Sequence, residues 1–278
     1  MKRAVVCGAG GFLGRHIMCR LKEEGYNVCG IGRHLPDPYE GDEFYVCDLR
    51  YLQPFNSLFA ETDEVWQLAC EVGGLGYIFD GANAAEMLSN SSRINIAVLE
   101  ACVRHKVPKV FFSSSACVYP GSARSSAEAD AYPILENVGA HAFEKLFSER
   151  LYLSYAERYG FEAKIARFSN TYGPLCCWKG GREKSVAALC RKVAELPKEG
   201  GEIEMWGDGS QMRNFVHVDD AIEGAMRLMR SSFSGPMNVG CDEMVTIRDL
   251  VWRIADVAGK SVRIKPVSGQ VGDRKSVV

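Results

Sequence analysis

A glycine-rich turn near the amino terminus most constrains the fold of this chain. The short apolar run Arg3 to Cys7 is followed by three glycines spaced Gly8-x-x-Gly11-x-x-Gly14, and then by an amphipathic segment from Arg15 to Glu24. A strand, a glycine turn and a helix in this order let backbone N–H groups approach a pyrophosphate at the helix N-terminus. A glycine triplet alone is weak evidence, but this context predicts a dinucleotide site. Its residues would be Gly8, Gly11, Phe12, Leu13 and Gly14.

The alternation of strands and helices continues through the first two thirds of the chain. Apolar runs predict strands at residues 27–31, 43–46, 64–68, 109–113 and 161–167, and helical periodicity predicts long helices at 83–105 and 139–159. This pattern predicts an α/β fold with a Rossmann-type, doubly wound parallel sheet. After Pro174 the chain mixes short strands and helices, including a helix capped by Asp219 or Asp220 and one capped by Thr246.

We therefore predict two domains. Residues 1–174 would bind the dinucleotide, with 210–240 returning to that domain, and residues 175–278 would form a smaller, mixed substrate lobe.

The composition narrows the class of protein and its partners. The chain has 278 residues, of which 47% are hydrophobic, and a net charge of −2. This balance indicates a soluble globular protein and gives no support for nucleic-acid binding. No apolar run approaches the length of a membrane span, and strand-like residues start at Ala4, where a signal peptide would stand. The eleven cysteines show no C-x-x-C spacing, so we predict free thiols in the cytoplasm and no metal site.

Two strand ends point to the adenosine half of the cofactor. The second strand ends at Gly32-Arg33, where NAD-binding folds usually place a carboxylate that accepts from the ribose hydroxyls. Glycine with a guanidinium would accommodate a 2′-phosphate, which favours NADP; alternatively Arg33 is a solvated loop residue. Asp48 and Leu49 end the next strand and would contact the adenine, although Asp48 is equally suited to cap a helix near Tyr51.

The fifth strand ends in side chains that carry chemistry. Three hydroxyls, Ser113 to Ser115, are followed by Ala116, Cys117 and, shortly after, Pro120. Ligands bind beyond the carboxyl ends of strands in open α/β sheets, so Ser114, Ser115 and Cys117 are candidates for catalysis. A glycine-rich loop at residues 72–77 lies at the same predicted edge and is well placed to touch a substrate.

These residues together resemble the extended short-chain dehydrogenase/reductase family, in particular its nucleotide-sugar epimerases and dehydratases. The longest matches resemble the GDP-mannose 3,5-epimerase branch of that family, and the resemblance covers nearly the whole chain. The motifs that carry it are the glycine turn, Leu68-Ala69, Gly73 to Gly76, Ser114 to Pro120, Lys145, Arg167 to Pro174, Trp178 to Lys184, Glu204 to Gly209 and Arg213 to Asp220.

The resemblance implies a cofactor, NAD(P), and a nucleotide-diphosphate sugar as substrate. The sugar would be oxidised at C4, would exchange protons at C3 and C5, and would then be reduced again. It implies Cys117 and Lys179 as the acid/base pair and Ser115 as the group that polarises the C4 oxygen. It further implies Lys145 at the nicotinamide ribose and Leu68 in the cofactor site. Gly74, Asn170, Lys179, Lys184 and Arg213 would contact the substrate. Relatives also imply a homodimer packed through the helices at 83–105 and 139–159. The family pattern continues beyond a point like Gly269, so the resemblance further implies that part of the substrate lobe is missing or rebuilt.

One position departs from the family pattern. The family places a tyrosine four residues before the lysine, and here that position holds His141. Either the position is altered and turnover is impaired, or His141 accepts the proton itself, or the chain catalyses a step that bypasses this transfer. The rival functions are a nucleotide-sugar 4-ketoreductase or 4,6-dehydratase, and a non-catalytic protein that binds the same ligands.

Overall fold

A computed structural model describes residues 1–78, 80–119, 127–131 and 139–268. Pro120, most of the polar segment 122–138 and the chain from Gly269 onward lie outside these residues. Within them the predicted α/β class is confirmed, because a seven-stranded sheet in the order β10-β6-β5-β4-β1-β2-β3 pairs entirely in parallel. Numbered along the chain, its strands are β1 Arg3–Cys7, β2 Asn27–Gly32, β3 Glu43–Val46, β4 Glu64–Gln67, β5 Lys109–Ser115, β6 Glu162–Phe168 and β10 Gly235–Val239.

Helices cover both faces of the large sheet. These are α1 Phe12–Glu23 and α6 Val218–Arg230 on one face, and α3 Ala84–Arg104 and α4 Ala140–Tyr159 on the other. The remaining helices are α2 Leu75–Ile78, α5 Ser185–Glu195 and α7 Ile247–Ala258. On one face Ile17 of α1 and Met226 of α6 pack with Trp66 and Phe111 of the sheet. On the other face Val98 of α3 and Tyr152 of α4 belong to a second core. Central strands buried from both sides must be apolar, which explains the continuous runs in the sequence.

The rest of the chain forms a smaller, mixed region. β7 Asn170–Tyr172, β9 Met212–His217 and β11 Met244–Thr246 form one sheet, in which β9 is the middle strand, while β8 Gly200–Trp206 pairs with β12 Ser261–Val267. The core of this region gathers apolar residues of α5, β8 and α7, namely Leu189, Val193, Ile203, Met205 and Val251. The smaller, mixed part of the predicted fold class is therefore confirmed, and its first strand, β7, lies before Pro174.

The division into domains remains a proposal, which two contacts support. Strand β10 pairs with β6 at the edge of the large sheet. Helix α6 contributes Val218, Ala221 and Ala225 to the same core as α1. We therefore propose that most of 210–240 belongs with the first domain, as the sequence suggested.

One predicted helix cap is wrong and another is confirmed. The side chain of His217, and not Asp219 or Asp220, caps α6 by accepting from the Asp219 N–H at 3.4 Å. The two aspartates instead occupy the first turn of α6, where the helix dipole favours negative charge. Thr246 caps α7 as predicted, through the Asp249 N–H at 3.0 Å. Within the described residues, no helix combines the length and apolar character that crossing a membrane requires.

Candidate active site

A cavity of about 1340 Å³ lies at the carboxyl ends of the parallel strands. Its walls come from the glycine turn after β1, the ends of β2, β4 and β5, and the facing side of α5 and β8. This is the edge at which open α/β sheets bind ligands. Nearly every site residue predicted from the sequence lines this one space, and the exception is Lys179.

The glycine turn closes tightly between β1 and α1. Gly8 has φ +82°, and a Cβ on it would stand 2.8 Å from the backbone nitrogen of Ala69. The Gly11 N–H donates to the Gly8 carbonyl oxygen at 2.9 Å, and Gly11 is the N-cap of α1 without a side-chain cap. The first-turn N–H groups of α1 therefore have no acidic or capping side chain beside them. A backbone cradle of this kind fits a pyrophosphate.

At the far end of the cavity, the residue after β2 is the cation Arg33, whereas NAD-binding folds usually have a carboxylate at the end of this strand. Gly32 ends β2, and Arg33 and His34 follow it on the cavity wall. Asp48 is already engaged, because it caps the short 3₁₀ helix Leu49–Tyr51 and accepts from Arg50 Nε at 2.9 Å. Its hydrogen bonds from Arg50, with the smallest contribution from the charge of Arg33, hold the pKa of the Asp48 carboxyl below its ordinary value. The cap predicted for Asp48 is confirmed, and because Asp48 also lines the cavity its contact with the adenine stays a prediction.

Lys145 is buried on the inner face of α4. Its side chain is 3% exposed, with Nζ 3.5 Å from Glu144 Oε2 and 4.9 Å from the centre of the Phe112 ring. Burial alone would lower the pKa of Lys145, but Cys70, Glu144 and Glu149 around it raise that pKa above its ordinary value. The lysine is therefore a fixed cation in the wall of the cavity.

A buried hydrogen-bond network anchors Glu144 from below. Asn95 Nδ2 donates to Glu144 Oε1 at 3.1 Å and lies 2.9 Å from Ser148 Oγ, while Gln67 Nε2 donates to Asn95 Oδ1 at 2.9 Å. These partners satisfy one carboxylate oxygen and leave Oε2 facing Lys145. The network links α4 to α3 and β4, and so holds Lys145 in a fixed position relative to the sheet.

His141 lies one helical turn before Lys145 and lines the same cavity. It is 5% exposed. Burial, followed by the charges of Lys145 and Lys184, lowers the pKa of its imidazole to about 3. His141 is therefore neutral at physiological pH.

The end of β5 places a hydroxyl and a thiol at the cavity. Ser115 caps the short 3₁₀ helix Ala116–Val118, accepting from the Cys117 N–H at 3.2 Å. Its own O–H stays available to donate to a ligand. Cys117 is exposed and lines the cavity, whereas Ser114 points inward to Glu149, with Oγ 2.5 Å from Oε1. All three residues line the cavity, but the Ser114 hydroxyl is already engaged by Glu149.

Two loops meet on the opposite side of the cavity. The Gly74 N–H donates to the Arg182 carbonyl oxygen at 3.1 Å, and any Cβ at Gly74 would collide with the Glu183 carbonyl oxygen. Arg182 reinforces the contact, because its Nη1 lies 2.9 Å from Glu71 Oε1 and its guanidinium stacks on the Tyr77 ring. This contact positions the segment that carries Lys184.

The remaining predicted substrate residues also reach the cavity. Lys184 is the N-cap residue of α5, and Asn170 and Arg213 lie on the adjacent strands β7 and β9. Asn170 Nδ2 donates to the Asn214 carbonyl oxygen at 3.0 Å, which fixes the amide group at the cavity wall. Within the described part of the chain, no three His, Cys, Asp or Glu side chains gather as a metal site would require.

Comparison with known proteins identifies the family. Residues 4–240 match the NAD dependent epimerase/dehydratase family. The chain belongs to this family. The resemblance drawn from the motifs is thereby confirmed, and so is the expectation of an enzyme of epimerase type.

Individual members of the epimerase/dehydratase family extend the comparison. GDP-mannose 3,5-epimerase 1 from Oryza sativa subsp. indica is 37% identical over 281 residues, covering 98% of this chain and 73% of that relative. UDP-glucose 4-epimerase from Thermotoga maritima has the same fold, with a TM-score of 0.84, 21% identity, and 98% of this chain and 87% of that one covered. A UDP-glucuronic acid 4-epimerase from Bacillus cereus, solved with UDP-glucuronic acid and NAD, matches with a TM-score of 0.83 and 24% identity. The match covers 98% of this chain and 88% of that one.

One residue expected in the epimerase site is not brought to it. Lys179 was predicted on a loop facing the cofactor, but its Nζ lies over the Trp178 ring at 4.7 Å, and the residue is exposed and absent from the cavity wall. Lys184, five residues later, lines the cavity and is close enough to lower the pKa of His141. The loop contact between Gly74 and Arg182 turns the Lys184 end of the segment inward.

Sequence reasoning missed several residues that share the epimerase cavity, among them Cys70, Gln211 and Lys192. Cys70 follows β4, and its thiol pKa is raised mainly by burial. Gln211 and Lys192 come from the smaller lobe. Helical spacing was the available signal for Lys192, because Ser185, Ala188 and Lys192 lie on one face of α5 and all line the cavity. Nothing local in the sequence marks Gln211.

Proposed function

We propose that this protein epimerises a nucleotide-diphosphate sugar of the GDP-mannose type at C3 and C5 through a C4 ketone. The observation that carries the proposal is a single cavity with a dinucleotide cradle at one end and Ser115, Cys117 and Lys184 at the other. The identity to a GDP-mannose 3,5-epimerase over 98% of the chain supports this choice of sugar positions.

The residues present fit a dinucleotide. Gly8 and the uncapped first turn of α1 provide the backbone cradle, and Lys145 provides a buried cation for the ribose. When bound, NAD(P) supplies a hydride acceptor and donor at C4. The chain's own part is to hold the sugar with its C4 oxygen near Ser115, whose free O–H can donate to that oxygen.

We propose NADP as the preferred cofactor. Gly32 leaves the end of β2 without a carboxylate, and Arg33 supplies a cation on the cavity wall nearby. A guanidinium recognises a phosphate through charge-assisted, bidentate hydrogen bonds. Arg50 is less available for this, because Asp48 binds it from both carboxylate oxygens.

The proton transfers fall to Cys117 and Lys184. A ketone at C4 acidifies the protons at C3 and C5, and the Cys117 thiolate takes one of them. The Lys184 ammonium returns a proton to the opposite face of the ring, as inversion requires. Lys184 replaces Lys179 in this role, since only Lys184 lines the cavity. Asn170 and Arg213 are placed to bind the diphosphate of the substrate.

Solvent deuterium tests the proposal. The holoenzyme is incubated in D₂O with GDP-mannose and with GDP-4-keto-6-deoxymannose, and deuterium at C3 and C5 is measured by NMR and mass spectrometry. We expect exchange in at least one of these sugars, and a loss of about 100-fold or more in Cys117→Ser and Lys184→Met, the usual scale for an acid/base group.

Lys179→Met is the matched control for Lys184→Met. It removes the same charge five residues away, outside the cavity, and we expect exchange within about threefold of wild type because surface charges act weakly. Loss of exchange in Lys179→Met with retention in Lys184→Met would reverse the two assignments. Net reduction of the 4-keto sugar without exchange would instead indicate a 4-ketoreductase, and binding without either reaction would indicate a non-catalytic protein.

We also propose a homodimer in a reducing compartment such as the cytoplasm. Helices α3 and α4 expose large apolar side chains, with Ile96 at 37%, Phe143 at 46% and Phe147 at 42%. A second copy packed on these helices would cover them. All eleven cysteines are free thiols, which a reducing environment preserves. Sedimentation of the purified protein with reductant tests the dimer.

A further inference from the structure

The environment of His141 suits one chemical role better than others. His141 is the second residue of α4, which begins after Gly139 without a side-chain cap. The uncapped N–H groups of a helix N-terminus carry partial positive charge. Lys145 lies one turn further along the same helix, and Lys184 approaches from the facing loop. The imidazole is therefore buried among positive groups, on the wall of the cavity that also holds Ser115 and Cys117.

These surroundings keep the imidazole neutral. Burial and the two ammonium groups hold the pKa of His141 at about 3. A neutral imidazole in such a place is a weak acceptor for the proton of a C4 hydroxyl, because the imidazolium it would form is disfavoured. The oxidation of a C4 alcohol, which needs that acceptor, is the step this site is least equipped to assist.

A neutral imidazole nevertheless keeps one N–H donor. Pre-organised neutral donors stabilise an oxygen that gains negative charge in the transition state. A neutral histidine at a helix N-terminus polarises a carbonyl group in this way during isomerase chemistry. The buried position of His141 suits it to this task, because the donor is fixed before the substrate arrives.

We propose that His141 donates its N–H to the C4 carbonyl oxygen of a nucleotide-linked 4-ketohexose, which enters the site already oxidised at C4. This inference rests on the proposed function and concerns the origin of the ketone. The C–H bond at C3 or C5 breaks, the proton passes to the Cys117 thiolate, and the electron pair moves into an enolate with its charge on the C4 oxygen. His141 and Ser115 stabilise that oxygen. Lys184 then gives a proton to the other face, and the carbonyl reforms without net redox change.

The proposal places the enzyme after another reaction. A reaction that oxidises or dehydrates a nucleotide hexose to its 4-keto form must supply the substrate. The product is an epimerised 4-ketohexose, which a ketoreduction would consume.

Two probes on the wild-type holoenzyme test the inference. Deuterium uptake from D₂O at C3 and C5 is compared for GDP-4-keto-6-deoxymannose and for GDP-mannose, the latter with NAD⁺ or NADP⁺. We expect the keto sugar to exchange at least about 100-fold faster, the scale associated with removing general base catalysis of the oxidation. The absorbance of reduced nicotinamide should not change during exchange of the keto sugar.

Variants of His141 separate its role from a structural one. His141→Gln keeps an N–H donor and should retain keto-sugar exchange within about tenfold, whereas His141→Phe should lose about 100-fold or more, as when one oxyanion donor is removed. The loss should appear in kcat for exchange with little change in KM. Cofactor binding measured by fluorescence checks that each variant is folded.

The outcomes are distinct. Comparable exchange of GDP-mannose and the keto sugar, or full exchange in folded His141→Phe, would overturn the inference and leave the proposed function standing. Exchange of neither sugar would overturn the proposed function itself. If His141→Phe does not fold, the two-probe comparison on wild type still decides.

Discussion

Arg167 and Glu149 form a fully buried, bidentate ion pair at the back of the cavity. Arg167 Nε lies 2.9 Å from Glu149 Oε1 and Nη2 lies 2.6 Å from Oε2, with both side chains 0% exposed. Arg167 Nη1 also donates to Tyr119 Oη at 3.1 Å, two residues beyond Cys117. The pair therefore ties β6 and α4 to the short segment that carries the thiol.

Breaking this pair should be costly. We expect Glu149→Gln or Arg167→Met to lower the free energy of unfolding by about 3–5 kcal/mol, because one partner is left as an uncompensated buried charge. Urea unfolding at pH 7.5 measures this change in the free energy of unfolding. The control is Arg253→Met, which removes an exposed ion pair with Glu243 and should cost less than about 1 kcal/mol. Equal effects in the buried and exposed pairs would contradict the expectation.

Gly74→Ala should separate the two loops that meet over the cavity. The new Cβ would collide with the Glu183 carbonyl oxygen, so the segment carrying Lys184 must move. We expect kcat/KM for exchange to fall about 100-fold, since a displacement near 1 Å has that effect, while cofactor affinity is unchanged. Gly81→Ala is the matched control, because nothing lies within 4 Å of a Cβ there. Similar activity of the two variants would show that the loop contact is dispensable.

Arg33→Ala should weaken NADP binding selectively. Loss of a charge-assisted phosphate contact should reduce affinity for NADP by about 10- to 100-fold and leave NAD binding nearly unchanged. Isothermal titration with both cofactors measures this. Arg227→Ala removes a guanidinium from the exposed surface of α6 and serves as the control. Equal losses for NAD and NADP would mean that Arg33 does not contact the 2′-phosphate.

The neutral state of His141 predicts a pH dependence of stability. Its pKa of about 3 in the folded protein lies below the value near 6.5 of the unfolded chain. Between these values the unfolded state binds the extra proton, so the stability present above pH 6.5 is lost as pH falls toward 3. From pH 7.5 to pH 5, wild type should lose about 2 kcal/mol more than His141→Gln. Parallel urea titrations of both proteins, with identical pH slopes, would refute a neutral buried histidine.

His141→Tyr should change which sugar reacts. A phenol four residues before Lys145 restores the proton acceptor that the family pattern places there, so deuterium exchange from GDP-mannose should rise at least about tenfold. NMR of the exchanged sugar measures the change. Keto-sugar exchange in the same variant is the internal control for folding. A further fall in GDP-mannose exchange would instead identify histidine as the native acceptor.

The parts of this site that neighbouring residues form by themselves could be predicted from the sequence. The glycine turn is one, because Gly8, Gly11 and Gly14 make the phosphate cradle within a few residues. The buried strands are another, since their apolar runs are continuous. The parallel pairing of these strands follows from their alternation with helices.

What could not be predicted depends on contacts between distant segments. The inner face of α4 is polar, with Glu144 and Glu149 buried, so no amphipathic stripe marks it. Its partners Asn95 and Arg167 come from α3 and β6. The choice between Lys179 and Lys184 likewise depends on a contact of their loop with Gly74, more than one hundred residues earlier. Local patterns do not contain such information.

Within the described residues, the chain passes between the large sheet and the smaller lobe three times: between β6 and β7, between β9 and α6, and between β10 and β11. The sheet of β7, β9 and β11 gathers these crossings side by side. Because three adjacent backbone segments connect the lobe to the large sheet, we expect them to oppose a hinge rotation of the lobe as one rigid body. We therefore expect ligand to exchange with solvent through movement of the loops at the rim of the cavity, where Gly74 contacts Arg182, rather than through rotation of the whole lobe.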